Sequence, residues 1–428
     1  MKRDSYSSLS EDERRKGARD WSHSIQSRLA ETLSADIART SAPEDTLDGA
    51  HRATVSLTAL AAGVTPLEVE QSLVATASPK SGEFDEPRVR DIIEMLASEI
   101  FATMAVSGMP DIKGKLIFES LPSGSVSALC CANSWDDYFH IFIDADLLVF
   151  CASISKIVAN CFVYGSRRSS NYPPTAQLLK AVKAEDIQLR IKDLFSASVF
   201  AGSVRASKPW MPHPKALRLH IILLKGQERF VVAHEIAHVV CGHHSEPDQA
   251  LAIATPGIDD ANSILFSRQA EFEADAVGAL LSVRSEEATE HRLLLQAAPY
   301  IFMKAVEILE LCHAMAGDKA RDLHSTHPPA AERSKRIRAS LVELEGADDL
   351  LERLMQKIDQ LFFWISRTAV TEINRRARLG STPRKKVLLR AFEGSERPAI
   401  LGILDSPKQV SEVAKRFARD IIFAQVDR

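Results

Sequence analysis

Apolar and polar positions follow different periods along this chain, and the changes of period divide it. Residues 1–50 are polar, Ser-rich and charged with weak helical periodicity, which predicts a mobile leader followed by short helices. Two apolar helical patterns follow, at 55–62 and 89–104, separated by the Pro-Lys-Ser-Gly run at 79–82. From residue 115 the period shortens. Segments 115–119, 126–132 and 138–143 predict short strands, with turns at 122–124 and 133–137. Asp144 is placed to cap a helix running to about residue 162. A Ser/Arg/Asn/Pro stretch at 165–174 predicts a loop, and two amphipathic patterns then reach about residue 200.

Pro209, Pro212 and Pro214 predict a stiff extended passage. Segment 217–224 is an apolar run with strand character, and Lys225-Gly226 is expected to break it. Residues 227–242 predict a helix of another kind. Val231, Val232, Ala233, Ile236, Ala237, Val239 and Val240 cover almost its whole circumference, which marks a buried helix. Helical patterns return at 258–284, 287–316, 329–345 and 347–378. The pattern predicts an α+β, mainly helical chain with one small sheet and flanking helical regions.

Composition narrows the function classes. Of 428 residues, 45% are apolar and 26% charged, enough apolar side chain to exclude global disorder. The net charge of −4 excludes nucleic-acid binding through overall charge. The segment from Arg375 to the end carries 13 Lys and Arg against 6 Asp and Glu, which predicts a solvated basic face. Six cysteines show no scaffold spacing, and the first residues lack the apolar core of a signal peptide. Reduced thiols and a cytoplasmic location are therefore expected, with Cys130 and Cys131 as buried strand residues. No run reaches the eighteen or so uninterrupted apolar residues of a membrane helix. The best stretch, 139–163, contains Asp144, Asp146 and Lys156, so a strand leading into a core helix is expected, with no membrane insertion.

The chemistry concentrates on His234-Glu235-Ile236-Ala237-His238. A four-residue spacing sets both imidazoles on one helix face, able to grip one Zn²⁺. Glu235 then points beside the ion and is the candidate general base. Two polar histidines and a glutamate in an otherwise apolar helix would be costly to bury without a partner, and an ion satisfies all three.

Two residues compete for the third ligand. His244 has the spacing of H-E-x-x-H-x-x-G-x-x-H, but Cys241 stands where that pattern needs Gly, and Gly242 comes one place late. Glu271 is the other candidate. Asp275 lies one turn further on the same helix face, where it can accept the second N–H of a zinc-bound histidine. Ala270, Ala274, Ala276, Gly278 and Ala279 keep that helix slim enough to approach the histidine helix closely.

With His324-Ser325-Thr326-His327-Pro328-Pro329 and Glu332-Arg333 added, the chain resembles the gluzincin zinc peptidases typified by the CAAX prenyl endopeptidase and the bacterial heat-shock membrane protease. His234, Glu235, His238 and His243 meet H-E-x-x-H-x(4)-H. Glu271 and Asp275 meet E-F-x-A-D, and residues 325–333 meet S-T-H-P-P-x-x-E-R. The resemblance covers roughly 220–340 and implies zinc on His234, His238 and Glu271. It also implies that His327 faces the site as a candidate oxyanion donor, and that Arg333 braces it by pairing with acidic side chains. His243 is expected beside the ligands rather than among them. Those relatives carry membrane helices, whereas this chain is expected to be soluble.

The resulting expectation is a helical and polar region over 1–110, a zincin-like metallopeptidase domain over 111–345 and a basic helical region over 346–428. The expected activity is hydrolysis of protein or peptide substrates by a soluble metalloendopeptidase. Two alternatives stand beside it: a zinc-stabilised interaction or regulatory module, and a conditional stress or phage-defence protease. Oligomeric state and substrate identity are left open.

Overall fold

The computed structural model describes residues 9–37, 59, 64–68, 71, 86–121, 124–132, 137–164, 174–243, 268–283, 289–317, 328–344 and 349–382. Helices dominate these residues, with one three-stranded sheet among them. The patterns at 55–62 and 79–82, the loop at 165–174, His244, residues 258–267, His327 and the basic tail beyond 382 lie wholly or largely outside the described residues.

The first helix, α1, spans Glu11–Ile37. A reciprocal box starts it: Glu13 N–H donates to Ser10 Oγ, and Ser10 N–H donates to the Glu13 carboxylate at 2.9 Å. The leader was expected to form short helices, and a single helix of 27 residues stands instead. Its inward stripe is Ala18, Ser22 and Gln26, four residues apart and fully buried. These side chains score poorly as apolar, which is why the periodicity is faint. They nonetheless meet the sheet: Ser22 Oγ lies 2.7 Å from His140 Nδ1, and Gln26 Nε2 donates to the Ser120 carbonyl.

Helix α2 (Pro87–Val106) opens with proline at its first position, where no N–H is needed. Strands β1 (Leu116–Leu121), β2 (Ala128–Ala132) and β3 (Phe139–Asp144) follow, close to the expected segments. β3 is central, parallel to β1 and antiparallel to β2, so β2 lies at an edge. Cys130 and Cys131 on β2 are buried and form no disulfide, as expected. Asp144 Oδ1 accepts from Asp146 N–H at 2.8 Å and so caps α3 (Ala145–Tyr164).

By length and hydropathy, Ala145–Val163 could cross a membrane, but 67% of it is buried within the fold. Ile154, Ile157, Val158 and Cys161 belong to the main core. Burial on that scale is what a core helix shows.

Helices α4 (Thr175–Val182) and α5 (Glu185–Ser196) follow, and the second runs into a single π turn at Ala197–Ala201. The next helix, α6, spans Leu217–Val240 and includes the segment read as a strand. Over 217–224 the apolar residues satisfy both periods, so the short run alone could not decide. In the fold Leu217, His220, Leu223 and Gln227 face inward at helical spacing while Ile221 is exposed. Gly226 is no breaker. A Cβ there would stand 2.5 Å from the Ala298 Cβ, so its absence allows α6 to cross α8 (Thr289–Met315) at close range.

Helices α7 (Arg268–Leu281), α9 (Ala330–Leu344) and α10 (Asp349–Arg378) complete the described fold. α6 is central, with α2, α3, α7 and α8 around it and β2 and β3 at one side. One contiguous apolar core reaches from Val89 on α2 to Ile373 on α10.

Candidate metal centre

The buried half of α6 carries the histidines. His234 and His238, one turn apart, are both buried, and their Nε2 atoms lie 3.2 Å from one another. Glu271 arrives from the first turn of α7. Its Oε2 is 3.6 Å from His234 Nε2, and its Oε1 is 3.5 Å from His238 Nε2. Ligands held at about 2.0–2.1 Å in a tetrahedron stand about 3.3–3.4 Å apart. The three donors therefore already have the spacing that one ion of zinc size requires, without rearrangement of either helix. Among the described residues this group consists of three donors.

Close helix packing makes the convergence possible. A Cβ on Gly278 would stand 2.9 Å from both the Cα and the N of His234. Only glycine lets the α7 backbone ride against α6 at that point, two turns on from Glu271.

Asp275 lies one turn after Glu271, with Oδ1 3.1 Å from His234 Nδ1. That contact orients the ring so that Nε2 turns toward Glu271. Arg333 from α9 donates twice to Asp275, from Nε to Oδ2 at 2.8 Å and from Nη2 to Oδ1 at 2.6 Å. Its Nη1 is 3.5 Å from Glu271 Oε2, so one guanidinium braces both carboxylates. Burial alone would raise Asp275, but Arg333 and then His234 hold it below the usual carboxylate range. Burial alone would lower His234. Hydrogen bonds to Asp275 and Glu271 outweigh it and push His234 up to about 10, the mark of a site that attracts a cation.

Glu235 is buried on α6. Its charge adds to the effect of burial in raising the Cys130 thiol, and it helps hold Arg333 charged.

The turn after α6 settles what the late glycine does. Gly242 takes a left-handed conformation with φ 73°. Its N–H donates to the Val239 carbonyl and the His243 N–H to the His238 carbonyl, at 3.1 and 3.0 Å. This glycine cap folds the chain back over the helix end and sets His243 Nδ1 2.9 Å from His238 Nδ1. The far nitrogen of His243 faces Glu273, which the motif reading passed over. The signal was available: Glu273 is two residues from Glu271 and so faces another side of α7.

Two buried imidazoles and a buried carboxylate from a second helix, at ion-binding separation, define a metal-dependent class of protein. Residues 249–341 match the family model described as peptidase family M48. The match is to a metallopeptidase family, and the chain is a metallopeptidase, a hydrolase. The match takes in Glu271, Asp275 and Arg333 and begins after His234 and His238. No curated protein and no solved structure matches the chain.

Proposed function

We propose that the chain is a soluble, cytoplasmic zinc metalloendopeptidase whose ion is held by His234, His238 and Glu271. The observation that carries this reading is the mutual spacing of the three donors, 3.2–3.6 Å across two helices. Two nitrogens and one carboxylate oxygen suit zinc and leave a coordination corner for solvent. Zinc supplies Lewis acidity toward a peptide carbonyl and a water molecule.

The remaining work falls to the chain. Glu235, next to His234 on the same buried helix, takes a proton from the water and later delivers it to the departing amine. Asp275 holds the His234 ring in the tautomer that presents Nε2, and Arg333 holds Asp275. His327 is the proposed donor to the oxyanion, on the family motif alone. The domain division at about residues 110 and 345 is part of the same proposal.

Substrate binding by strand addition cannot use 217–224, which is helical. The edge strand β2 takes its place, because it lies at the sheet edge and touches α6, the helix that carries the histidines.

Glu235→Gln tests the assignment. The variant should keep its zinc and lose peptide cleavage by about 10²–10⁴-fold. Undiminished cleavage would remove Glu235 from the mechanism.

A further inference from the structure

A second group of metal-ligating side chains stands at the C-terminal end of α6. Cys241, His243 and Glu273 each offer a donor atom, and these atoms lie within 4.8 Å of one another. The three converge for identifiable reasons. Cys241 caps α6, the left-handed Gly242 turns the chain, and His243 folds back toward α7, where Glu273 projects on a different side from Glu271. His243 Nε2 and Glu273 Oε2 are 3.4 Å apart, beyond a good N–H···O bond and close to the edge of a metal tetrahedron. The Glu273 carboxylate is near enough to Cys241 to add to the effect of burial on its thiol. All three side chains are only partly buried, so an ion can reach them from solvent.

We propose that Cys241, His243 and Glu273 form a second divalent-metal site, suited by its thiolate, imidazole and carboxylate to Zn²⁺, and that its occupation restrains the first centre. The restraint rests on the peptidase reading above; the binding does not. Coupling arises through the 2.9 Å contact between the two Nδ1 atoms. With an ion on His238 Nε2, that ring carries its proton on Nδ1 and can donate it to His243 Nδ1. With an ion on His243 Nε2, His243 Nδ1 carries a proton as well, and two N–H groups oppose each other. Filling the second site therefore loosens the ring that holds the first ion.

Cobalt(II) titration of the full chain tests this, because only the second site contains a thiolate. The first equivalent should give visible ligand-field bands alone. Further cobalt should add a thiolate-to-cobalt charge-transfer band in the near ultraviolet. In Cys241→Ser that band should vanish, and in Glu273→Gln the second ion should bind at least about tenfold more weakly, with the first equivalent unchanged in both. Excess Zn²⁺ should slow peptide cleavage by the unmodified chain and leave Cys241→Ser unaffected. One bound equivalent with no charge-transfer band, or a band undiminished in Cys241→Ser, overturns the second site alone. No bound cobalt at all overturns both centres.

Discussion

Gly278→Ala is the sharpest probe of how the centre is built, because it changes one methyl group outside the ligand set. The added Cβ would meet the His234 Cα and N at 2.9 Å and the Ala233 carbonyl carbon at 3.3 Å. All three are backbone atoms inside a helix, so no rotamer change relieves the clash. Carbon atoms rest at about 3.5–4.0 Å, so α6 and α7 must separate locally by roughly 0.6 Å or more. Overpacking of this kind costs about 1–3 kcal/mol of stability. The larger consequence is for the ion. Glu271 is seven residues back on α7 and moves with it, whereas a metal site tolerates only about 0.2 Å in ligand distance. Zinc affinity should fall at least about tenfold. The assay is competition against a chromophoric chelator, paired with urea unfolding. Gly114→Ala serves as control, since nothing lies within 4 Å of its added Cβ. A Gly278→Ala protein with undiminished zinc affinity and stability would refute the claim that this close approach positions Glu271.

Arg333→Lys keeps the charge but loses the two-pronged grip on Asp275, so zinc should bind about 10–100-fold more weakly; the same chelator competition reads this out, and unchanged affinity would show that the fork is dispensable. At the far end of α10, hydrogen bonds from Arg375 and Arg376 hold Glu372 down to about 2, from 4.5 when unconstrained. A depressed acid stabilises the fold above its unfolded value, so that contribution is complete above about pH 4.5 and lost as pH falls toward about 2. Urea midpoints for Glu372→Gln should accordingly show a weaker dependence on pH across that acid range than those of the unmodified chain.

Several features were legible before any coordinates. His234 and His238 four apart in an apolar helix share one buried face, because helical period and burial both act locally. The strands at β1 to β3 and the Asp144 cap were equally plain, since alternation and capping need only near neighbours. Misreadings came where local signals were silent or double. α1 buries Ala, Ser and Gln, which carry little apolar signal. Segment 217–224 satisfies two periods at once, and a glycine that allows helix crossing looks the same in sequence as one that ends a helix.

By itself, the order of residues determined that His234 and His238 share one face of a helix with Glu235 next to His234, because those relations are set within two helical turns. Only the tertiary structure decided that Glu271 reaches that ion's donors, that Arg333 clamps its neighbour Asp275, and that Gly242 turns His243 back onto His238. The first two depend on how closely helices approach, which small residues such as Gly278 set and one-dimensional periodicity does not encode; the third depends on the left-handed turn at Gly242.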